Sequence, residues 1–97
     1  MFTFQWTDEA REDFGNLRKY DQQRIVKAME ENLEHQPNIE TSNRKCLYPN
    51  ELAEWELRVG DFRVFYDVDE ANELVKVEAI GRKIRERVMI RGQEFKL

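Results

Sequence analysis

The sequence contains one cysteine and one histidine, Cys46 and His35, and this scarcity excludes several kinds of site. A single cysteine cannot form an internal disulfide, as is usual for a protein kept in a reducing cytoplasm. A single histidine excludes a histidine-rich metal site, and no glycine-rich phosphate loop is present, so we expect neither a metal nor a cofactor. Cys46 is interpreted as a small inert hydrophobic residue. His35 is placed in the last turn of a helix, where an imidazole suits the helix dipole.

Long apolar runs are also missing. No stretch approaches the roughly 20 apolar residues of a membrane-spanning helix. The start of the chain, MFTFQWTDEAR, lacks the basic end and the long apolar core of a signal peptide. We therefore expect a cytoplasmic protein that is not bound to a membrane. The 97 residues are expected to form one domain, 1–97, since domains commonly contain roughly 100–150 residues.

Positive charge is scarce overall but concentrated in one segment. The net charge of −4 argues weakly against nucleic acid as a partner, because binding to phosphates favours lysine and arginine. Segment 82–91, RKIRERVMIR, nevertheless contains one acidic residue, Glu86, and five basic ones: Arg82, Lys83, Arg85, Arg87 and Arg91. A basic patch on an acidic protein is therefore predicted.

The first third of the sequence predicts a strand followed by a helical hairpin. Aromatic residues alternate with polar ones over 2–6, as in a half-buried strand. Thr7 is a suitable N-cap for the first helix, Asp21 can begin the second, and Pro37 ends it. Apolar residues recur at helical spacing in both: Ala10, Phe14 and Leu17, then Ile25, Met29 and Leu33.

Residues 37–50 are polar, contain both prolines and are predicted to form a loop. From residue 53 the hydrophobic period becomes two, which indicates three antiparallel strands with turns at Gly60-Asp61 and 69–72; the third covers 73–80 and ends at Gly81. The residues expected to face the helices are Ala53, Trp55, Leu57, Val59, Phe62, Val64, Tyr66 and Val68. The opposite, open face is expected to carry Glu54, Glu56, Arg58, Arg63, Phe65, Lys76 and Glu78.

The C-terminal segment allows two interpretations. Ile84 and Val88 have the spacing of one helical turn, whereas 88–90 and 93–95 on either side of Arg91-Gly92 suit a small hairpin, which we favour slightly. The last apolar residues are Phe95 and Leu97. The predicted fold class is α+β with the order β-α-α-β-β-β, a helical hairpin packed on one face of an antiparallel twisted sheet, and a small C-terminal strand or turn segment.

Several segments of the sequence resemble the RelE/ParE superfamily of toxins from type II toxin–antitoxin systems. They are TDEA (7–10), LEHQP (33–37), WELRVGDFRVFYDVD (55–69), IGRK (80–83) and MIRGQEFKL (89–97). Their order and spacing over nearly the whole chain carry the resemblance. It implies a RelE-like toxin that is neutralised by a cognate antitoxin and that meets operator DNA only through the toxin–antitoxin complex.

The resemblance implies two different targets on one fold. RelE-like toxins enter the ribosome and cut mRNA, whereas ParE-like toxins poison DNA gyrase. The first hypothesis is therefore an mRNA interferase, a ribosome-dependent endoribonuclease that binds RNA and inhibits translation. The second is a gyrase inhibitor. The third is a family member without toxicity that binds only its antitoxin and operator DNA.

Metal-free RNA cleavage requires a deprotonated 2′-hydroxyl, a stabilised phosphate charge and a protonated 5′-oxygen. Arg63 matches the arginine that RelE-like nucleases place on the scissile phosphate, and a guanidinium group suits bidentate contact there. Glu56 or Glu54 is the expected base, and Lys83 or Arg85 is expected near the leaving oxygen. Further RNA contacts are expected from Arg58, Arg82, Arg87 and, by stacking, Phe65.

Simpler structural roles stand beside these functional ones. Arg63 can instead pair with Glu56 or Glu78 across the sheet, and the basic segment can be a solvated turn. Phe65 can be covered by the antitoxin or by the C-terminal segment, which we favour over stacking. Three positions also depart from the RelE-like pattern. Met89 replaces the late tyrosine or histidine that transfers a proton, and glutamates at 54 and 56 replace lysines.

Overall fold

The computed structural model describes residues 1–96; Leu97, one of the apolar residues of the C-terminal segment, lies outside them. The elements are β1 (Thr3–Trp6), α1 (Asp8–Gly15), α2 (Lys19–Leu33), β2 (Arg44–Cys46), β3 (Trp55–Val59), β4 (Phe62–Asp69), β5 (Leu74–Ile84), β6 (Arg87–Ile90) and β7 (Gln93–Phe95). The sheet has the order β2-β3-β4-β5-β6-β7, with β1 parallel to the first part of β5. The α+β class and the antiparallel unit β3-β4-β5 are thereby confirmed.

The two helices begin for different reasons. Thr7 caps α1 as predicted, because its Oγ1 accepts the N–H of Ala10 at 3.1 Å. Helix α2 begins at Lys19, two residues before the predicted start at Asp21. The carboxylate of Asp21 is buried in the first turn and accepts a hydrogen bond from Arg18 Nε at 3.2 Å, which neutralises it there.

Both helices end earlier than predicted. Helix α1 ends at Gly15, so Leu17 packs against the core from the link between the helices. Helix α2 ends at Leu33, and His35 lies exposed beyond its C-cap, so its placement in the last helical turn is wrong. Within the described part of the chain, neither helix combines the length and the apolar character that crossing a membrane requires.

The main core lies between the helices and one face of the sheet. The predicted inward rows of β3 and β4 are confirmed for seven of their eight residues: Leu57, Val59, Phe62, Val64 and Tyr66 are buried, and Trp55 and Val68 pack at the margin. The helices contribute Ala10, Ile25, Met29 and Leu33. Tyr66 donates a hydrogen bond to the carbonyl of Pro37 at 2.6 Å, and burial raises the pKa of this phenol far above its ordinary value. The apolar pattern of the sequence therefore specifies this core.

The segment predicted as a loop over 37–50 contains a strand, β2. It pairs with β3, placing Lys45 opposite Glu56. Arg44 anchors it from the buried side by donating to the carbonyls of Ile39 at 2.8 Å and Asn32 at 2.6 Å. Cys46, interpreted from the sequence as a small inert hydrophobic residue, is exposed.

Strand β5 continues through Gly81, where the sequence predicts its end. A Cβ atom at Gly81 would lie 2.8 Å from Ile90 Cγ1 and 3.0 Å from the carbonyl oxygen of Met89, so glycine allows β6 to approach closely. The predicted C-terminal hairpin is confirmed as β6 and β7, joined by Arg91 and Gly92 with φ angles of 49° and 77°.

The C-terminal hairpin (β6 and β7, 87–95) covers part of the sheet face that was expected to stay open. Ile90 packs there with Phe65, Ala79 and Ala53 in a second buried cluster. Ala53 therefore faces away from the helices, contrary to prediction, because it lies before the first residue of β3 and outside its alternation.

Helix α1 fills the gap that β1 and β6 leave along the edge of β5. Thr7 Oγ1 donates to the carbonyl of Glu78 at 3.1 Å, and Asp13 Oδ2 accepts the N–H of Ile80 at 3.0 Å. The same Asp13 oxygen lies 2.6 Å from Arg91 Nη1 in the turn of the C-terminal hairpin. Asp13 is 6% exposed, so one buried carboxylate joins the helix, the central strand and the hairpin.

Candidate functional site

A cleft of about 410 Å³ opens on the face of the sheet that lies away from the helices; it is called the basic cleft below. Residues of β2, β3, β4 and β5 line it together with residues of the C-terminal hairpin. Its five cationic residues are Lys45, Arg58, Arg63, Lys83 and Lys96, and its three carboxylates are Glu56, Glu86 and Glu94. A protein with a net charge of −4 thus gathers an excess of positive charge in one concave site.

Arg63 lines the basic cleft and is buried there, with 8% of its surface exposed. Its Nη1 donates to the carbonyl oxygens of Gly60 at 2.8 Å and Phe62 at 2.9 Å, which fixes the side chain against the β3–β4 turn. Its Nε lies 3.9 Å from Glu56 Oε2, as the structural alternative for Arg63 predicts. Since Nη1 is occupied by carbonyls, Nε and Nη2 are the atoms with which Arg63 can meet a phosphate.

Glu56 is the buried carboxylate of the basic cleft. It is 8% exposed and accepts a hydrogen bond from Arg58 Nε at 3.1 Å. Arg58 lies directly opposite Arg63 in the β3–β4 pair, and Lys45 lies opposite Glu56 on the other side. The surrounding cations offset the repulsion between Glu56 and an incoming phosphate. An ionised carboxylate in this position is able to accept a proton from a hydroxyl group.

Only one of the predicted basic residues of segment 82–91 reaches the basic cleft. Lys83 lines it, since strand alternation places residue 83 on the same face as Arg63. The neighbouring Arg82 lies over the ring of Phe62, 4.9 Å from its centroid, on the helical side. Arg85 and Arg87 line a different surface pocket. The structure therefore places Lys83 in the basic cleft and places Arg82, Arg85 and Arg87 outside it.

Phe65 was expected to offer an exposed ring for base stacking, and this expectation is wrong. The residue is 0% exposed because the C-terminal hairpin packs over it. The favoured alternative, a cover formed by the C-terminal segment, is confirmed. Met89 lies opposite Arg82, and the β6 residue opposite Lys83 is Val88. Neither side chain transfers a proton.

Besides Lys96, sequence analysis missed two residues of the basic cleft, Lys45 and Tyr48. Both belong to the segment predicted as a loop, and three-residue β2 is too short to show a period of two. Tyr48 follows β2 and is 87% exposed at the cleft. In the sequence, only their residue types could have indicated a role, since one is a cation and the other an aromatic residue in an otherwise polar segment.

A second cleft, of about 730 Å³, lies on the other side of the β2–β3 loop and has an acidic lining. Glu54, the alternative base, belongs to this acidic cleft, and its N–H donates to Asp67 Oδ1 at 2.8 Å. Glu54 is thereby separated from Arg63, and Glu56 is the predicted base that the structure brings to the arginines. In residues 1–96 no cluster of three or more histidine, cysteine or acidic residues is arranged to hold a metal ion.

Glu78 of the acidic cleft gives a testable dependence of stability on pH. Burial first, then a hydrogen bond with Asp67 and the charge of Asp67, raise its pKa from 4.5 to about 7, although Lys76 Nζ lies 3.8 Å away. A raised carboxyl pKa favours the protonated form in the folded protein. The protonated Glu78 carboxyl therefore contributes fully to the stability of the folded state below pH 4.5. This contribution is lost as the pH rises through the folded-state pKa of about 7.

Glu78→Gln is accordingly expected to raise the free energy of unfolding at pH 8 by about 1 kcal/mol, a value reduced for solvent screening of this partly exposed carboxyl. At pH 4 the substitution is expected to have little effect. Urea denaturation at both pH values measures the difference, with Glu30→Gln on the exposed surface of α2 as the control. Equal effects of Glu78→Gln at pH 4 and pH 8 contradict this assignment.

Comparisons with known protein families and with solved structures both find similar proteins. The model of the family described as the ParE toxin of the type II toxin–antitoxin system parDE matches residues 4–86. A chain in the crystal structure of the RelBE2 toxin–antitoxin complex from Mycobacterium tuberculosis is similar with a TM-score of 0.71 and 21% sequence identity, over 84% of this chain and 98% of that one. At this identity the likeness is one of fold. No curated protein sequence matches the chain.

Proposed function

We propose that this chain, which belongs to the ParE toxin family of type II toxin–antitoxin systems, is a cytoplasmic toxin that inhibits translation by cutting mRNA on the ribosome. The observation that supports this target is the basic cleft, which five cationic residues line and in which the buried carboxylate of Glu56 lies 3.1 Å from Arg58 Nε and 3.9 Å from Arg63 Nε. Such a site suits a phosphodiester flanked by an attacking and a leaving oxygen. A cognate antitoxin is the partner that keeps the toxin inactive.

Different residues of the basic cleft act in different steps of the proposed reaction. Glu56 accepts the proton of the 2′-hydroxyl, whose oxygen then forms a bond to the adjacent phosphorus. Arg58 and Arg63 stabilise the charge that grows on the phosphate oxygens. The bond from phosphorus to the 5′-oxygen breaks, and Lys83 gives that oxygen a proton. The products are a cyclic phosphate and a free 5′-hydroxyl, and no cofactor takes part.

Inhibition of DNA gyrase by binding alone is the second candidate. The observation that favours it is the lack of a tyrosine or histidine at the two β6 positions nearest the basic residues, Val88 and Met89. The hydrogen bonds that Arg63 Nη1 donates to the carbonyls of Gly60 and Phe62 also favour this candidate. In this case the basic cleft would bind an acidic surface of a protein and would perform no chemistry.

Lys83→Gln is expected to lower mRNA cleavage at least about 100-fold, which is the usual contribution of a general acid. Cells induced for the toxin are pulse-labelled for protein and DNA synthesis, and mRNA ends are mapped by primer extension. Lys27→Gln is the matched control, because Lys27 is an exposed lysine on α2 that pairs with Glu31 at 4.0 Å. The control is expected to behave like the unmodified chain.

Each result of this experiment separates one hypothesis from another. A fall in protein synthesis with new mRNA ends supports the nuclease, and the loss of these ends in Lys83→Gln supports the role of Lys83. An early fall in DNA synthesis supports the gyrase inhibitor instead. If neither synthesis falls, the chain is a family member that has lost its toxicity. Full cleavage by Lys83→Gln refutes the assigned acid.

A further inference from the structure

We infer that Tyr48 stacks on an unpaired RNA base at the mouth of the basic cleft and thereby positions the strand, an inference that rests on the proposed function. Tyr48 is 87% exposed, and Tyr20, the other strongly exposed tyrosine, is 66% exposed. Unlike Tyr20, which lies on α2, Tyr48 lines the same cleft as Arg58, Arg63 and Lys83. Tyr48 also lines the acidic cleft, so it lies at the border between the two clefts, and the cations beside it belong to the basic cleft.

The loop that carries Tyr48 is fixed by its own hydrogen bonds. The Asn50 side chain donates from Nδ2 to the carbonyls of Tyr48 at 2.7 Å and Ala53 at 2.9 Å. Its Oδ1 accepts the N–H groups of Leu52 at 2.7 Å and Ala53 at 3.0 Å. Pro49 also restricts the backbone of the preceding Tyr48 to extended conformations. The ring is therefore presented to solvent from an ordered backbone, which lowers the entropic cost of using it in binding.

An unpaired nucleobase is the ligand that this combination fits. Single-stranded RNA is recognised by stacking of bases on aromatic side chains while basic groups follow its phosphates. In the cleft, the exposed ring of Tyr48 and the ammonium group of Lys45 belong to one segment, and the guanidinium groups of Arg58 and Arg63 lie on the adjoining strands. The nearest alternative platform, Phe65, is buried and unavailable. Stacking is worth about 1–3 kcal/mol per base, which corresponds to about 5- to 150-fold in affinity.

Cleavage of a short mRNA bound to ribosomes provides the test. Initial rates are measured over a range of programmed ribosomes for the unmodified chain, Tyr48→Ala and Tyr48→Phe, with Tyr20→Ala as the matched control. We expect Tyr48→Ala to raise KM about tenfold or more while kcat changes little. Tyr48→Phe is expected to retain the KM of the unmodified chain, because stacking needs the ring and not the hydroxyl. Tyr20→Ala is expected to be unchanged.

Other results overturn the inference in distinct ways. An unchanged KM in Tyr48→Ala removes the stacking role and leaves the proposed nuclease intact. A loss of kcat in both Tyr48→Ala and Tyr48→Phe shows that the hydroxyl takes part in the chemistry instead. If the unmodified chain cleaves no mRNA, the proposed function fails and this inference fails with it.

Discussion

Asp13→Ala is expected to lower the free energy of unfolding by about 3 kcal/mol, because it removes the buried partner of an ion pair and leaves a buried N–H without an acceptor. The Asp13 side chain is 4% exposed and lies 2.6 Å from Arg91 Nη1. It also accepts the N–H of Ile80 at 3.0 Å, at the point where β5 has neither β1 nor β6 beside it. No other residue of α1 makes both contacts.

Urea denaturation of Asp13→Ala, Arg91→Ala and the double variant measures this effect. Glu12→Ala is the control, because Glu12 is an exposed carboxylate on the same helix. Arg91→Ala is also expected to destabilise the protein, since it leaves the Asp13 carboxylate without its cation, and the two substitutions together are expected to cost less than the sum of both. A loss below 1 kcal/mol in Asp13→Ala contradicts the proposed role of this carboxylate.

Phe65→Ala is expected to cost about 3–5 kcal/mol of unfolding free energy, the usual range for truncating a buried phenylalanine. Phe65 is fully buried with Ala53, Ala79 and Ile90, and its truncation would leave a cavity among these residues and those packed against them: Leu47, Leu52, Val88 and Phe95. The cluster holds the C-terminal hairpin against the sheet, so the damage is expected to be greatest in that hairpin.

Urea denaturation and amide hydrogen exchange together test this second prediction. In Phe65→Ala the amides of 87–95 are expected to lose protection before those of α2, whereas Tyr20→Ala, which truncates an exposed aromatic residue, is expected to change neither measurement. Uniform loss of protection throughout the chain shows that the hairpin and the main core unfold together. A stable Phe65→Ala protein with a fully protected hairpin contradicts the packing role of the ring.

Much of the fold follows from periodicity in the sequence. Alternation over 55–68 correctly placed the inward rows of β3 and β4, because each side chain of a regular strand faces opposite to the next. The turn at Gly60-Asp61 and the C-terminal hairpin were also predicted, since glycine tolerates the positive φ values of 59° at Gly60 and 77° at Gly92. Strand β2 escaped prediction because only its pairing with β3 makes it a strand.

The candidate site was predictable to the extent that it depends on the same alternation. Glu56, Arg58 and Arg63 were placed together on one face, and the structure brings them together in the basic cleft. Segment 82–91 was predicted to act as one basic patch, but its members separate. Lys83 faces the cleft and Arg82 faces Phe62, because adjacent residues of β5 point to opposite sides of the sheet.

By itself, the sequence determined the α+β class, the helices, the central strands and the charged residues of the sheet face, since each of these is encoded by local spacing and residue type. The tertiary structure alone decided where the C-terminal hairpin lies. Its contact with Phe65 turned an expected binding residue into a core residue, and the pairing of β2 brought Lys45 and Tyr48 into the cleft. These contacts join residues far apart in the chain, and their energy comes from packing and hydrogen bonds that no local pattern of residues records.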